Sequence, residues 1–200
     1  MTLYDLDVSG NCYKVRLLAA LAGIELNLVS VDLARGEHKQ PPYIDTAPWG
    51  QVPFLEDGEV RLRDSQAILV YLARKYAGHQ WWPDGAAQQG DVMQWLSTAA
   101  NEIHAGPNAA RLIDKFDAAL DRPRALEISH QVLALLEQHL TQHAWLAIGR
   151  PTIAECAMYP YVALSEEGGI SLAEYPAIQA WLMRVRHLPG YIGMPGVLDA

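Results

Sequence analysis

Cysteine is nearly absent from the 200 residues: Cys12 and Cys156 are the only two. So sparse a pair excludes a disulfide-stapled secreted scaffold and offers none of the paired spacings of a structural zinc site. Positive charge is scarce as well, with fifteen Lys and Arg against twenty-three Asp and Glu and a net charge of −8. That balance opposes binding to nucleic-acid phosphates or to an anionic membrane through bulk electrostatics. No apolar run approaches the ~18 residues that a membrane span requires. The start, Met1 to Asp7, carries neither the basic stretch nor the apolar block of a secretory leader. The expectation is a complete soluble chain in a reduced cytoplasmic compartment, with no nucleic-acid or membrane partner. Half of the residues are hydrophobic, enough for a sizeable core in one domain or two small ones.

The first third alternates between strand and helix periods. Thr2 to Asp5 reads as a short strand, and after the polar loop Asp7-Val8-Ser9-Gly10 a helical period sets in, with Val15, Leu18, Leu21 and Ala22 on one face. Gly23 ends that helix. Leu26, Leu28, Val29, Val31 and Leu33 predict a second strand, parallel to the first through a right-handed crossover. Beyond a polar, proline-containing segment, Asp57-Gly58 between two apolar runs predicts a hairpin. A helix period from Ala67 to Tyr76 follows, with Asp64 or Ser65 able to cap its start. Residues 79–89 carry Pro and Gly without an apolar period and read as a linker. The helical pattern then resumes over Val92 to about Leu120, Ala125 to Leu140, Thr152 to Leu164 and Ile178 to Leu188. The predicted organisation is an α/β unit over 1–78 and an all-α unit over 90–200.

Ser9-Gly10-Asn11-Cys12 lies where the first strand gives way to the first helix. In a thioredoxin-like layout a Cys-x-x-Cys pair would occupy this place, its first sulfur at the electropositive helix N-terminus. Ser9 stands at the first position instead. A hydroxyl cannot exchange disulfides, but it can donate to a thiolate brought in by another molecule. The alternative is that Ser9 or Asn11 only caps the helix. Two readings are open at Val52-Pro53 also. A trans proline can simply start a strand, whereas a cis bond leaves the preceding backbone groups facing a ligand. Asp64-Ser65 can cap a helix while binding the α-amino and α-carboxylate groups of a ligand. His38 and Lys39 offer positive charge to a second carboxylate, or form a solvated surface.

Four stretches together resemble the cytosolic glutathione transferases of bacterial, serine type over essentially the whole chain. They are Ser9-x-Asn11-Cys12-x-Lys14-Val15-Arg16, Gly50 to Gly58, Asp64-Ser65-x-Ala67-Ile68-x-x-Tyr71-Leu72, and Pro151-Thr152-Ile153-Ala154-Glu155. The resemblance implies a thioredoxin-like βαβ-α-ββα domain followed by an all-α domain that contributes the second-substrate pocket. It implies that Ser9 faces the sulfur of glutathione and that Asn11 acts with or instead of it. Val52 would pair by its backbone with the cysteinyl part, Pro53 would be cis, and Asp64 and Ser65 would hold the γ-glutamyl end. His38, Lys39 and Gln51 become candidates for the glycine end. Glutathione would serve as co-substrate, with no permanently bound cofactor or metal, a small electrophile as second substrate, and a homodimer as the assembly. The implied activity is attack of an activated thiolate on an electrophile. Glutathione-dependent reduction of a disulfide or peroxide is the alternative on the same fold, and a non-enzymatic interaction module is a third reading.

Thr152 and Glu155 match a capping box, which speaks for helix nucleation and not for catalysis. His104, Asn108 and Arg111 fall at helical spacing on one face and are the candidates for the second-substrate pocket. Their polarity predicts small polar, carboxylated or peroxidic substrates, unless Arg111 is structural. Pro107 should kink or interrupt that helix. His139 and His143 stand four apart, yet lack a third ligand, and read as a solvated helix face. Trp81, Trp82 and Trp95 read as filling the space between the domains.

Overall fold

The short alternating runs near the N-terminus pair into one mixed sheet in the computed structural model, which describes residues 1–197. β1 (Thr2–Asp5) lies between β2 (Asn27–Ser30), its parallel neighbour, and β3 (Phe54–Asp57), its antiparallel one. β4 (Val60–Arg63) closes the far edge, giving the order β2-β1-β3-β4. Leu3 sits opposite both Leu28 and Leu55, and Leu55 opposite Leu62. Leu3 and Leu55 are fully buried beneath α1 (Gly10–Leu21) and α3 (Ser65–Leu72). The strand signal over Leu26 to Leu33 yields only Asn27–Ser30, an exposed edge. A one-turn helix, α2 (Tyr43–Thr46), lies in the connecting segment. This is the thioredoxin-like arrangement, followed by a helical C-terminal half.

Asp5 and Arg16 tie β1 to α1 below the surface. Nη1 of Arg16 lies 2.5 Å from Oδ2 of Asp5, and Nη2 donates to the Asp7 carbonyl at 2.9 Å. Both residues are buried, so losing Arg16 would leave the Asp5 carboxylate without a cation, a defect of roughly 3–5 kcal/mol.

α4 begins at Ala86, inside the segment expected to be linker, and runs to Ala100. The expected helix from Val92 to Leu120 is broken. After Asn101 the chain passes through a π turn at His104–Asn108 before resuming as α5 (Ala109–Phe116). Pro107 lies inside that turn, where it has no N–H for a helical ladder. α6 (Arg122–Gln142), α7 (Ile153–Ala163) and α8 (Pro176–Arg186) complete the helical half. The expected second domain runs to Ala200, and its last three residues lie outside the described ones.

α7 is the axis of the molecule, buried along almost its whole length and packed on α1, α3 and α4. Its start is the predicted capping box: the Thr152 hydroxyl accepts from the Ala154 amide at 3.1 Å, and Glu155 Oε2 accepts from the Thr152 amide at 2.7 Å. The Glu155 Oε1 accepts from Leu146 N at 2.8 Å, tying the preceding loop to the helix. Burial pushes the Glu155 carboxyl up to about 7 despite these donors. Trp81 is buried where the halves meet, and its carbonyl accepts from the Ile153 amide at 3.2 Å. Trp82 and Trp95 pack partly buried against the same core. Cys156 is fully buried, as its place on α7 demands.

Candidate functional site

The turn from β1 into α1 is built by its cap. Ser9 adopts extended backbone and its Oγ accepts from Cys12 N at 3.3 Å. A hydroxyl used this way keeps its O–H free to donate. Gly10 lies against Tyr161 of α7 so closely that a Cβ there would come within 2.6 Å of the ring. The Tyr161 hydroxyl accepts from Asn11 N at 3.2 Å. Burial raises the Cys12 thiol to about 12, so this sulfur stays protonated and inert.

A cavity of about 390 Å³ opens beside this turn. Asn11, His38, Gln51, Val52, Pro53, Asp64, Ser65, Gln66 and His104 are among the residues that line it. The Val52–Pro53 peptide is cis, and the amide and carbonyl of Val52 have no partner among the described residues. Asp64 caps α3, its Oδ1 accepting from the Gln66 and Ala67 amides at 3.0 Å each. Its φ of +75° is one that L side chains rarely adopt, a strain of order 1–3 kcal/mol that persists only where surroundings over-determine it. Ser65 is buried next to it, within 3.5 Å of Asn11 Oδ1. His38 Nδ1 is buried with no hydrogen-bond partner among the described residues. Lys39 is exposed and does not line the cavity.

A second cavity of about 510 Å³ shares Asn11, Leu33, Val52 and His104 with the first and adds Ser9, Asn108, Arg111 and Tyr161. The predicted trio is therefore brought together, but its chemistry differs from the expectation. Arg111 is buried, its Nε 2.5 Å from Glu167 Oε2 and its Nη2 donating to the Val8 carbonyl at 3.0 Å. Lys115 also pairs with Glu167. The guanidinium is thus committed inside the protein and offers no free cation to an anionic substrate. Asn108 Nδ2 lies 3.1 Å from His104 Nδ1. Withdrawal of the ring from water, together with the nearby Lys14 charge, holds the His104 imidazole below its usual range. The remaining walls are mainly apolar: Leu6, Val8, Ala34, Leu112 and Phe116. Sequence spacing missed Tyr161, which is 150 residues from Asn11. Leu112 and Phe116 were legible in principle, since they continue the Asn108 face at four-residue steps.

Comparison with known proteins agrees with this geometry. Residues 1–74 match the model of the glutathione S-transferase N-terminal domain, and residues 110–189 that of the C-terminal domain. The glutathione S-transferase 3 of Zea mays is 30% identical, over 96% of this chain and 91% of its own. The chain belongs to the glutathione S-transferase family. A solved structure from Rhodopseudomonas palustris, described as a possible glutathione S-transferase, is 34% identical with a TM-score of 0.88, covering 96% of this chain and 97% of the other. The glutathione S-transferase of Pseudomonas fluorescens superposes with a TM-score of 0.90 at 28% identity, covering 96% and 98%. The protein is a transferase of a family that takes glutathione as co-substrate and needs no permanent cofactor. Among the described residues no cluster of three or more His, Cys, Asp or Glu could hold a metal ion, and no helix is long and apolar enough to cross a membrane. His139 and His143 stack on each other at 4.4 Å, with His139 edge-on to Trp95.

Proposed function

We propose that this transferase binds glutathione in the cavity beside the Ser9 turn and activates its thiol as a thiolate for attack on a small electrophile. The observation that carries the reading is the Ser9 hydroxyl, free to donate at the N-terminus of α1 while its lone pair caps the helix. A free thiol, whose pKa lies near ~8.5, is only a few per cent ionised at neutrality. A hydrogen bond made to the charged form, added to the helix dipole, shifts that balance toward thiolate. Asn11, which lines both cavities, supplies an amide donor beside it. The S–H bond breaks with its electron pair left on sulfur and its proton passing to water; that pair then forms the new bond to the electrophile, whose leaving group departs with its own bonding pair.

The unpaired backbone of Val52 would bond the cysteinyl part as an added strand does. Asp64 and Ser65 would hold the γ-glutamyl end, the Asp64 carboxylate facing the α-amino group. His38 and Gln51 would meet the glycine carboxylate, with exposed Lys39 adding charge from outside. The electrophile would occupy the larger cavity along His104 and Asn108, where the apolar walls favour a weakly polar molecule over the carboxylated or peroxidic substrate expected from sequence. In this reading residues 1–78 form the glutathione-binding domain, the segment from 79 leads into α4, and the helices after it supply the second-substrate wall. The assembly would be a homodimer in the cytoplasm, as the family resemblance implies.

Retention on immobilised glutathione, followed by assay with a chlorinated aromatic, a hydroperoxide and a small disulfide, tests the reading. Conjugation of the aromatic supports it. Turnover of the disulfide or peroxide alone makes the protein a reductase, and binding without turnover makes it an interaction module.

A further inference from the structure

Lysine is almost never fully buried without a partner, yet Lys14 is 1% exposed. Among the described residues no carboxylate lies within ion-pair distance of its ammonium. The group rests instead on the face of Tyr161, 5.3 Å from the ring centroid. Lys14 stands three residues beyond Asn11 on α1, which places both on one helical face. Helical side chains lean back toward the N-terminus, so the ammonium is carried beneath the Ser9–Asn11 turn.

Tyr161 connects this charge to the site. Its hydroxyl accepts from the Asn11 amide, its ring closes on Gly10, and it lines the same cavity as Ser9 and Asn11. The charged and titratable groups facing Lys14 come from three other elements. Asp64 at the start of α3 favours the ammonium, His104 in the π turn is itself disfavoured as a cation by Lys14, and Tyr161 of α7 stays protonated because burial raises it. Arg111, which also acts on Tyr161, is neutralised by Glu167. Desolvation dominates, and the amine is pushed down to about 7.

We infer that Lys14 is a positioning residue for the reaction, a buried amine that gains a proton as bound glutathione loses its own and so sets the pH range in which the thiolate forms. The inference rests on the proposed thiolate site. The exchange balances: the S–H bond breaks, its electron pair stays on sulfur, and an N–H bond forms from the amine lone pair, with water carrying the proton. Each charge favours the other, so thiol and amine shift reciprocally. Unit charges on the order of 8–12 Å apart at an effective dielectric of about 20 shift each other by about one to one and a half pH units.

The test follows thiolate absorbance of bound glutathione against pH in wild type, Ser9→Ala, Lys14→Met and Lys14→Arg. Lys14→Met should move the thiol midpoint up by about one unit, with the acidic limb of kcat/KM moving in parallel. Lys14→Arg, which keeps the charge at every pH, should hold the midpoint at or below the wild-type value. Affinity for S-methylglutathione, which has no thiol to ionise, should stay within about threefold in both variants. A measurement on the wild type covers the case of a variant that does not fold. The Lys14 Cε resonance should titrate with a midpoint that rises by about one unit with glutathione and by less with S-methylglutathione. Identical thiol titrations in wild type and Lys14→Met, or one Lys14 midpoint with both ligands, overturn the inference. If wild type itself shows no thiolate absorbance, or Ser9→Ala leaves it unmoved, the failure lies in the proposed thiolate site.

Discussion

Arg111 in the helical half donates to the carbonyl of Val8, the residue immediately before Ser9, at 3.0 Å. The same guanidinium is held by Glu167. A side chain that spacing alone assigned to the second substrate is therefore a strut between the two halves. Arg111→Met should destabilise the protein by about 2–4 kcal/mol, less than a fully orphaned pair because Lys115 still compensates Glu167. Denaturant titration measures this. The ratio of kcat/KM for matched neutral and carboxylated electrophiles should stay unchanged in the variant. A selective loss toward the carboxylated member would return Arg111 to the substrate pocket.

Ser9→Ala should keep glutathione affinity within a few fold while raising the bound thiol midpoint, because the hydroxyl favours only the ionised form. Loss of the cap on α1 adds a destabilisation of about 1 kcal/mol. Thiolate absorbance and a thermal melt read the two effects separately. An unmoved titration would shift the role to Asn11.

Asp64 carries two duties that different substitutions separate. Asp64→Asn keeps an oxygen to cap α3 and tolerates the positive φ, whereas Asp64→Ala loses cap and charge together. Both should weaken glutathione binding by roughly 1.5–3 kcal/mol, the range for hydrogen bonds to charged groups. Only the alanine variant should also lose about 1 kcal/mol of stability. Calorimetry on folded protein decides, and wild-type affinity in Asp64→Asn would remove the carboxylate from the ligand site.

Glu155 should make stability fall with pH. Its carboxyl is raised to about 7 in the folded protein, so the native state holds a proton that the unfolded chain has already released. That stabilisation is complete below about pH 4 and is lost as pH rises through about 7, a difference on the order of 3 kcal/mol. Glu155→Gln cannot ionise, so its stability relative to wild type should improve between pH 5 and 8. Melting curves for the pair across that range measure it, and parallel curves would show that Glu155 does not titrate there.

The proposed homodimer is checked by sedimentation at micromolar concentration, where the mass should be twice that of the chain. A monomer mass would overturn the proposed assembly.

Local rules carried far in this chain. The glycine of Asp57-Gly58 announced the β3–β4 hairpin: Asp57 pairs with Val60, the two-residue turn is Gly58-Glu59, and Gly58 takes the positive φ of +62° that the first position of such a turn favours. Ser9, Asp64 and Thr152 were legible as helix caps, since a short polar side chain before an apolar period satisfies amides within its own turn. The linker boundary was misread at Ala86 because the first turn of α4 carries no apolar residue larger than alanine. The break in the long helix was expected from Pro107, though not its form, a π turn that puts His104 and Asn108 on the cavity wall.

The site divides along the same line. Ser9, Val52-Pro53 and Asp64-Ser65 announce themselves in sequence because each is a local backbone device: a cap, a bond before proline, and a second cap. The cis state of the Val52–Pro53 bond was open on sequence alone. Whether Arg111 meets a substrate or Glu167, whether Lys14 is solvated or sealed against Tyr161, and whether the second cavity is polar or apolar are outcomes of packing α7 onto α1 and α5 onto the turn that carries Glu167. Those contacts join residues 56, 147 and 103 positions apart. Sequence determined which hydrogen bonds close within a turn. Only the tertiary structure decided which charges are neutralised and which are buried alone, because desolvation depends on neighbours that the chain brings together from its two ends.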